Sequence, residues 1–259
     1  MTKSNQAFDR VGNDFIAYYD TVRGHVREQV TRHNLMPHLP RKSAKILDMG
    51  GGDGRDAVWL AKMGHKIVLV DPSEEMTRKA QHQANENGVP GLVEVRQAED
   101  PEQALQGFDE EFDVVLSHGV LMYVNEPAQH LVLLGQVVRE DGIISILTKG
   151  KEGSLLRLME RGDTAKAIEL EKTNQLVNNL GEEVLAVSDD LMAQMLGETA
   201  LRIAEWYGVR IVTDKDRRQH KEVPREELDS ILKIEQRLSS EKSVRGMGQM
   251  LHFIARKKG

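Results

Sequence analysis

Leu47-Asp48-Met49-Gly50-Gly51-Gly52-Asp53-Gly54 is the stretch that decides how this chain folds. The residues that feed it, 45–49, have strand character, and those that leave it, 56–63, have helical spacing. Glycines at a strand-to-helix junction let the backbone turn tightly and let a ligand reach main-chain N–H groups that a Cβ would screen. The spacing excludes two familiar phosphate loops. A G-x-G-x-x-G fingerprint needs a glycine where Arg55 stands, and a P-loop needs Gly-Lys-Ser/Thr, which is absent. What fits is D-x-G-x-G-x-G, carried by Asp48, Gly50, Gly52 and Gly54.

Outward from the loop, further strands are expected at 66–70, 92–96, 112–117 and 143–148. Runs such as Ile67-Val68-Leu69-Val70 and Val114-Val115-Leu116 are apolar without alternation, as parallel strands buried on both faces require. Helices fall between them at 56–63, 73–87 and 127–139, with Ser73 a good N-cap and Gly88 a good stop. Strand and helix alternating in this way predicts a doubly wound α/β sheet. Ahead of it, Phe15, Tyr18, Tyr19, Val22, Val26 and Val30 predict one amphipathic helix over 14–35, ended by Pro37 and Pro40. Beyond 148 the rhythm breaks. Residues 154–180 are helical in character, strand character returns at 201–206 and 249–255, and 225–238 is a helix. The expected organisation is an N-terminal helical segment at 1–40, a core at 41–149 and 188–259, and a helical cap inserted at 150–187.

The 259 residues suffice for one large core that buries roughly 75% of the unfolded surface. With 39% hydrophobic and 29% charged residues, disorder is excluded. A net charge of −6 argues against a protein that coats nucleic acid or anionic membrane through its overall charge, although the run 214–221 is locally basic. The absence of cysteine removes disulfides, thiolate metal sites and cysteine nucleophiles together. The histidines show no H-E-x-x-H spacing, so no metal is expected. A polar amino terminus and the lack of an apolar stretch of about 20 residues point to a cytoplasmic protein without membrane contact.

The glycine pattern, together with Asp71 at the end of the second strand, resembles the class I S-adenosylmethionine-dependent methyltransferases. Asp71 stands about 20 residues beyond the loop, where a carboxylate can accept hydrogen bonds from ribose hydroxyls. The resemblance implies a Rossmann-like methyltransferase sheet with S-adenosylmethionine held by Asp48, Gly50, Gly51, Gly52 and Asp71. It adds Glu99 and Asp100 after the third strand as adenine contacts, His118 at the end of the fourth, and Arg27 for the methionyl carboxylate.

Within that class the chain is similar to the tRNA 5-carboxymethoxyuridine methyltransferases. The similarity lies in Arg23-Gly24-His25-Val26-Arg27, Leu47 to Gly54, Ser117-His118-Gly119-Val120-Leu121, Gly208-Val209-Arg210-Ile211 and Leu251-His252-Phe253-Ile254-Ala255-Arg256. It departs at Lys149-Gly150-Lys151-Glu152 and Thr213-Asp214-Lys215-Asp216, where the family carries aromatic and amide residues that shape the substrate pocket. Three functions follow as expectations: methyl transfer to the carboxylate of a modified wobble uridine in tRNA, methyl transfer to a small molecule, or non-catalytic cofactor or RNA binding. Lys149, Lys151, Arg210, Arg217 and Arg218 are the cations available for a carboxylate or phosphates. His118 is open between a general base, the catalytic role, and a binding contact. A carboxylate acceptor is already ionised and needs no base.

Overall fold

The computed structural model describes residues 18–100, 112–178, 181–215 and 223–258, together with residues 103, 105 and 108. Five parallel strands form the spine: β1 (Lys45–Met49), β2 (Lys66–Asp71), β3 (Val93–Gln97), β4 (Phe112–His118) and β5 (Val138–Gly150). They lie in the order β3-β2-β1-β4-β5, so the direction of winding reverses beside β1, directly under the glycine loop. Two late strands, β8 (Leu201–Val209) and β9 (Met250–Lys257), pair antiparallel, and β9 also lies antiparallel against β5.

Alternate residues of each buried strand serve opposite faces, the period of two expected of a pleated sheet. Ile46, Ile67, Leu69, Val114 and Leu116 pack under α2 (Arg55–Lys62) and α3 (Glu74–Glu86) through Ala57, Leu60, Ala80 and Ala84. Leu47, Val68, Val115, Ile144 and Phe253 face the other way, onto α4 (Pro127–Val137) and α7 (Asp189–Gly197) through Leu131, Leu134, Met192 and Met195. A third cluster joins Val22, Val26 and Val30 of α1 (Val22–Leu35) to Leu147, Val209 and Met250, and so seats α1 against the carboxyl ends of the sheet strands.

The expected single helix over 14–35 is broken. Its start, 14–17, lies outside the described residues, and α1 begins only at Val22, because Thr21 is extended and its side chain accepts a hydrogen bond from Gly24 N as an N-cap. Gly24 is required there, since a Cβ would stand 2.2 Å from the Tyr18 carbonyl oxygen. The break turns Tyr18 and Tyr19 back over the helix.

Two further expectations are corrected. Strand β5 is longer than the apolar run 143–148, because Val138 pairs with Phe112 across a register shift and draws the polar 139–142 into the strand. The segment 150–187 holds two helices, α5 (Lys151–Glu160) and α6 (Thr164–Thr173), but also two strands, β6 (Gln175–Val177) and β7 (Glu183–Val187). β7 pairs with the last residues of β5, so this stretch joins the sheet edge as well as covering it. The helix expected at 225–238 is α8 (Arg225–Ser239), which packs on α1.

His65, His130 and His252 are buried, and the last two lie deepest. His130 is buried and bonds to Ser117 Oγ, and burial pushes its pKa down to about 4. His252 is buried on β9, and burial, with His118 nearby, holds it well below the usual histidine range. Unfolding restores both to near 6.5, so the unfolded chain binds more protons between those values and stability falls as pH drops through 6.5 toward 4. Urea unfolding at pH 7.5 and pH 5.5 should show a loss of roughly 1 kcal/mol for each histidine, and replacing His130 with glutamine should remove its share of that pH dependence.

Candidate functional site

The loop between β1 and α2 stands at the carboxyl edge of the sheet, where open α/β sheets bind their ligands. Gly50, Gly52 and Gly54 all take positive φ, which only glycine adopts without strain. Their surroundings differ. A Cβ on Gly54 would stand 2.9 Å from Ala80 Cβ, so this glycine lets α2 and α3 approach. A Cβ on Gly51 would meet the Leu69 side chain at 2.6 Å, whereas one on Gly52 would meet nothing within 4 Å. Gly54 and Gly51 therefore serve packing, and Gly52 keeps open a space into which its backbone faces.

Asp71 fixes the loop. Its Oδ2 accepts from Gly52 N at 2.9 Å and its Oδ1 from Ser73 N at 3.0 Å, which ties the end of β2 to the glycine turn and to the start of α3.

An open cleft of about 540 Å³, its mouth included, lies in front of the loop. Of the residues singled out in the sequence, Arg27, Asp48, Gly50, Gly51, Gly52 and His118 line it, with Asp71 holding the loop behind. Glu99 and Asp100 do not reach it. Both are exposed on the turn after β3, where Asp100 Oδ1 accepts from Gln103 N and Glu99 N donates to the Gln103 side chain. Asp100 thus caps a local turn through its carboxylate, and Glu99 joins that turn through its backbone N–H.

Other lining residues escaped the sequence analysis: Tyr19, Glu28, Thr31, Asp53, Arg55, Asp56 and Leu147. The Tyr19 ring lies between two guanidiniums, with Arg55 Cζ 4.5 Å and Arg27 Cζ 5.6 Å from its centroid. Arg27 itself rests against Gly119, where a Cβ would stand 2.8 Å from Arg27 Nη2. Asp48 is buried, and its Oδ2 has no hydrogen-bond partner among the described residues. Burial, reinforced by Asp56, Asp71 and Asp53, pushes its carboxyl well above the usual carboxylate range. An arriving cation would relieve that strain. The zwitterionic methionyl end of S-adenosylmethionine carries an ammonium suited to Asp48 and a carboxylate suited to Arg27, so the residues present fit this cofactor.

His118 is held on both sides of its ring. Nδ1 lies 3.1 Å from Asp56 Oδ2, and Nε2 lies 2.8 Å from Ser145 Oγ, which in turn is 2.7 Å from His252 Nε2. Burial works to raise the Asp56 carboxyl, but the bond from His118 and the charge of Arg32 outweigh it and hold Asp56 well below the usual range. Asp56 is therefore an ionised acceptor. With neutral imidazoles, one proton arrangement satisfies every link: His118 Nδ1–H to Asp56, Ser145 O–H to His118 Nε2, and His252 Nε2–H to Ser145 Oγ. His252 Nδ1 is then a bare acceptor, in agreement with its having no partner among the described residues. A histidine so engaged has no free nitrogen for a substrate proton. Among the described residues no group of three or more histidine or carboxylate side chains is placed to hold a metal ion, and no helix is long and apolar enough to cross a membrane.

The contrast between the glycines is testable. Gly54→Ala should cost about 2 kcal/mol or more, from left-handed strain and the clash with Ala80. Gly52→Ala should cost only about 1 kcal/mol of strain, yet weaken S-adenosylmethionine binding tenfold or more. Chemical denaturation and calorimetry on the two variants separate the effects, and equal loss of stability would contradict the assignment.

Comparison with known proteins agrees with this geometry. Residues 47–146 match the family described as "Methyltransferase domain". The chain is 25% identical over 260 residues to the tRNA 5-carboxymethoxyuridine methyltransferase of Escherichia coli K12, covering 96% of this chain and 95% of that protein. It is 37% identical over 128 residues to the ubiquinone biosynthesis O-methyltransferase of Azorhizobium caulinodans, covering 48% of this chain and 49% of that protein. In fold it is similar to the methyltransferase solved in complex with the Haloferax volcanii Trm112 activator, with a TM-score of 0.67, 14% identity and coverage of 98% and 97% of the two chains. With the glycine loop, its carboxylate clamp and the cleft before them, these matches make the chain an S-adenosylmethionine-dependent methyltransferase.

Proposed function

We propose that the methyl acceptor is a carboxylate, borne by a modified wobble uridine of tRNA, and that the reaction takes place in the cytoplasm. The observation that carries this reading is the engagement of both His118 nitrogens inside the protein. The cleft's histidine serves to hold Asp56, β4 and β5 in place, which suits an acceptor that is ionised before it arrives. Hydroxyl or amine acceptors call for a base that this ring does not offer. When bound, S-adenosylmethionine supplies an electrophilic methyl on a sulfonium, so that attack by a carboxylate oxygen breaks the carbon–sulfur bond, cancels both charges and moves no proton.

The chain's own residues divide the remaining work. Gly50, Gly51 and Gly52 present backbone to the cofactor, Asp71 holds the turn and takes the ribose hydroxyls, and Asp48 and Arg27 take the ammonium and carboxylate of its amino-acid end. The tRNA assignment is supported by the E. coli relative, whose likeness extends over the C-terminal half as well as the cofactor half. Of the cations considered for the acceptor, Lys149 and Arg210 stand together past the end of β5, Lys151 is directed to Glu171, and Arg217 and Arg218 lie outside the described residues.

A second reading, a small-molecule acceptor, is favoured by the net charge of −6 and by the scarcity of aromatic residues, 4% of the chain, on which unpaired bases stack. Tritiated methyl transfer decides between them. Incubated with tRNA carrying 5-carboxymethoxyuridine and, separately, with a tRNA-free metabolite extract, the protein should label the tRNA with base-labile ester. Labelling confined to the metabolite extract would overturn the tRNA assignment.

A further inference from the structure

Past the carboxyl end of β5, four elements bring basic side chains to one place. Arg23 comes from α1, Lys149 from β5, Arg157 from α5, and Arg210 from the turn after β8. Asp214 is the carboxylate they meet. Arg210 donates to it through Nε at 2.9 Å and Nη2 at 2.6 Å, Arg157 Nη1 bonds to its Oδ2, and Arg23 Nη2 stands 3.4 Å from the same oxygen. These side chains are 16% exposed or less. Arg157 Nη2 is buried with no hydrogen-bond partner among the described residues.

The position is adjacent to the cleft. Lys149 follows two places after Leu147, so both side chains stand on one face of β5, and Leu147 lines the cleft. Arg23 is one helical turn before Arg27, which also lines it.

Among the described residues the charges do not balance. Glu235 is the other carboxylate near Arg210, but its oxygens accept from Ile211 N, Val212 N and Thr213 N and from the Thr213 hydroxyl. Even with Arg23 set aside, Arg157, Arg210 and Lys149 outnumber Asp214 and Glu235 together. A buried surplus of like charge is costly, and it persists where a ligand is to compensate it. The surplus also acts on Lys149, which burial and Arg210, against the opposing pull of Asp214, bring down to about 7.

The backbone is strained at the same point. Arg210 holds φ +62, a left-handed conformation uncommon for a long side chain, and the three N–H groups after it are clamped by Glu235. Strain of this kind gathers where function fixes a side chain's direction. Here it aims the guanidinium at Asp214 and, through Nη1, at the Tyr18 hydroxyl 2.9 Å away.

We propose that Arg157, Arg210 and Lys149, with Asp214 holding the guanidiniums in register, form an oxyanion subsite that takes the acceptor's carboxylate and sets it at the open end of the cleft. This rests on the reading of the acceptor given above and names the residues that recognise it. Phosphate shares the chemistry, and the test separates the two.

The test titrates the S-adenosylhomocysteine-loaded full chain with 5-carboxymethoxyuridine nucleoside, with uridine and with inorganic phosphate. The carboxylated nucleoside should bind at least tenfold more tightly than uridine. Arg157→Gln and Lys149→Gln should each abolish that preference while leaving S-adenosylmethionine affinity within twofold, and Arg157→Lys should restore part of it. The preference should weaken above pH 7 in the wild type, where Lys149 faces Arg210, Asp214, Arg157 and Arg23, and lose that pH dependence in Lys149→Gln. Equal binding of uridine and the carboxylated nucleoside, unchanged in the variants, would overturn the subsite. Phosphate binding as tightly as the carboxylated nucleoside, and lost in the variants, would overturn its assignment to carboxylate. Failure of the tRNA reading alone would look different: no labelled tRNA, with the carboxylate preference and its loss in the variants intact.

Discussion

The hydrogen-bonded chain from Asp56 through His118 and Ser145 to His252 is the constraint on which the site depends. It crosses the molecule from α2 to β4, β5 and β9, with Ser145 and His252 fully buried, His118 nearly so and Asp56 partly exposed. Breaking it would leave polar groups without partners in a low-dielectric interior, which costs more than the bonds themselves contribute. The chain thus locks the end of α2, which follows the glycine loop, to the strands that carry the acceptor side of the cleft. It also engages both His118 nitrogens, which is what the proposed carboxylate chemistry rests on. One arrangement both builds the cleft and limits what reaction the cleft supports.

The electrostatics on either side of that lock are unlike. Around the glycine loop, Asp48, Asp53, Asp56 and Asp71 gather within one turn of backbone and strand, offset by Arg27 and Arg55. That field suits a ligand bearing cationic groups, as a sulfonium and an ammonium are. Past β5 the balance inverts, with Arg157, Arg210 and Lys149 facing Asp214. On the proposed reading, a positive donor and an anionic acceptor would be drawn from opposite sides, and most of the catalytic benefit in such a displacement comes from alignment at contact distance.

Much of this was legible in the sequence. Local periodicity located β1 to β4 to within a residue or so, because each is a short apolar run bounded by turn residues. Asp48, Gly50, Gly51 and Gly52 were legible because one loop carries them. Asp56 was not: in sequence it is an acid in the first turn of a helix, where the helix dipole alone accounts for it. Its partner His118 lies 62 residues away, and no local spacing announces such a bond. Tyr19 was hidden as one more apolar position of an amphipathic helix, and the break at Thr21 that turns it into the cleft depends on close packing against Gly24. Glu99 and Asp100 are legible as carboxylates that follow β3; in the structure Asp100 caps a local turn and neither is among the residues that line the cleft. β7 was missed because its pairing with β5 is made by tertiary contact at the end of a strand already complete in itself.

The central claim is that methyl transfer here involves no proton transfer by His118. Single-turnover rates at saturating tRNA acceptor, measured from pH 5.5 to 9, test it most directly. The account predicts no fall in rate as pH drops from 7 to 5.5, with the same profile in His118→Gln at whatever lower rate the loosened cleft allows. A rate that falls on acidification with the slope of one proton, and loses that slope in His118→Gln, would make His118 the general base and contradict the account.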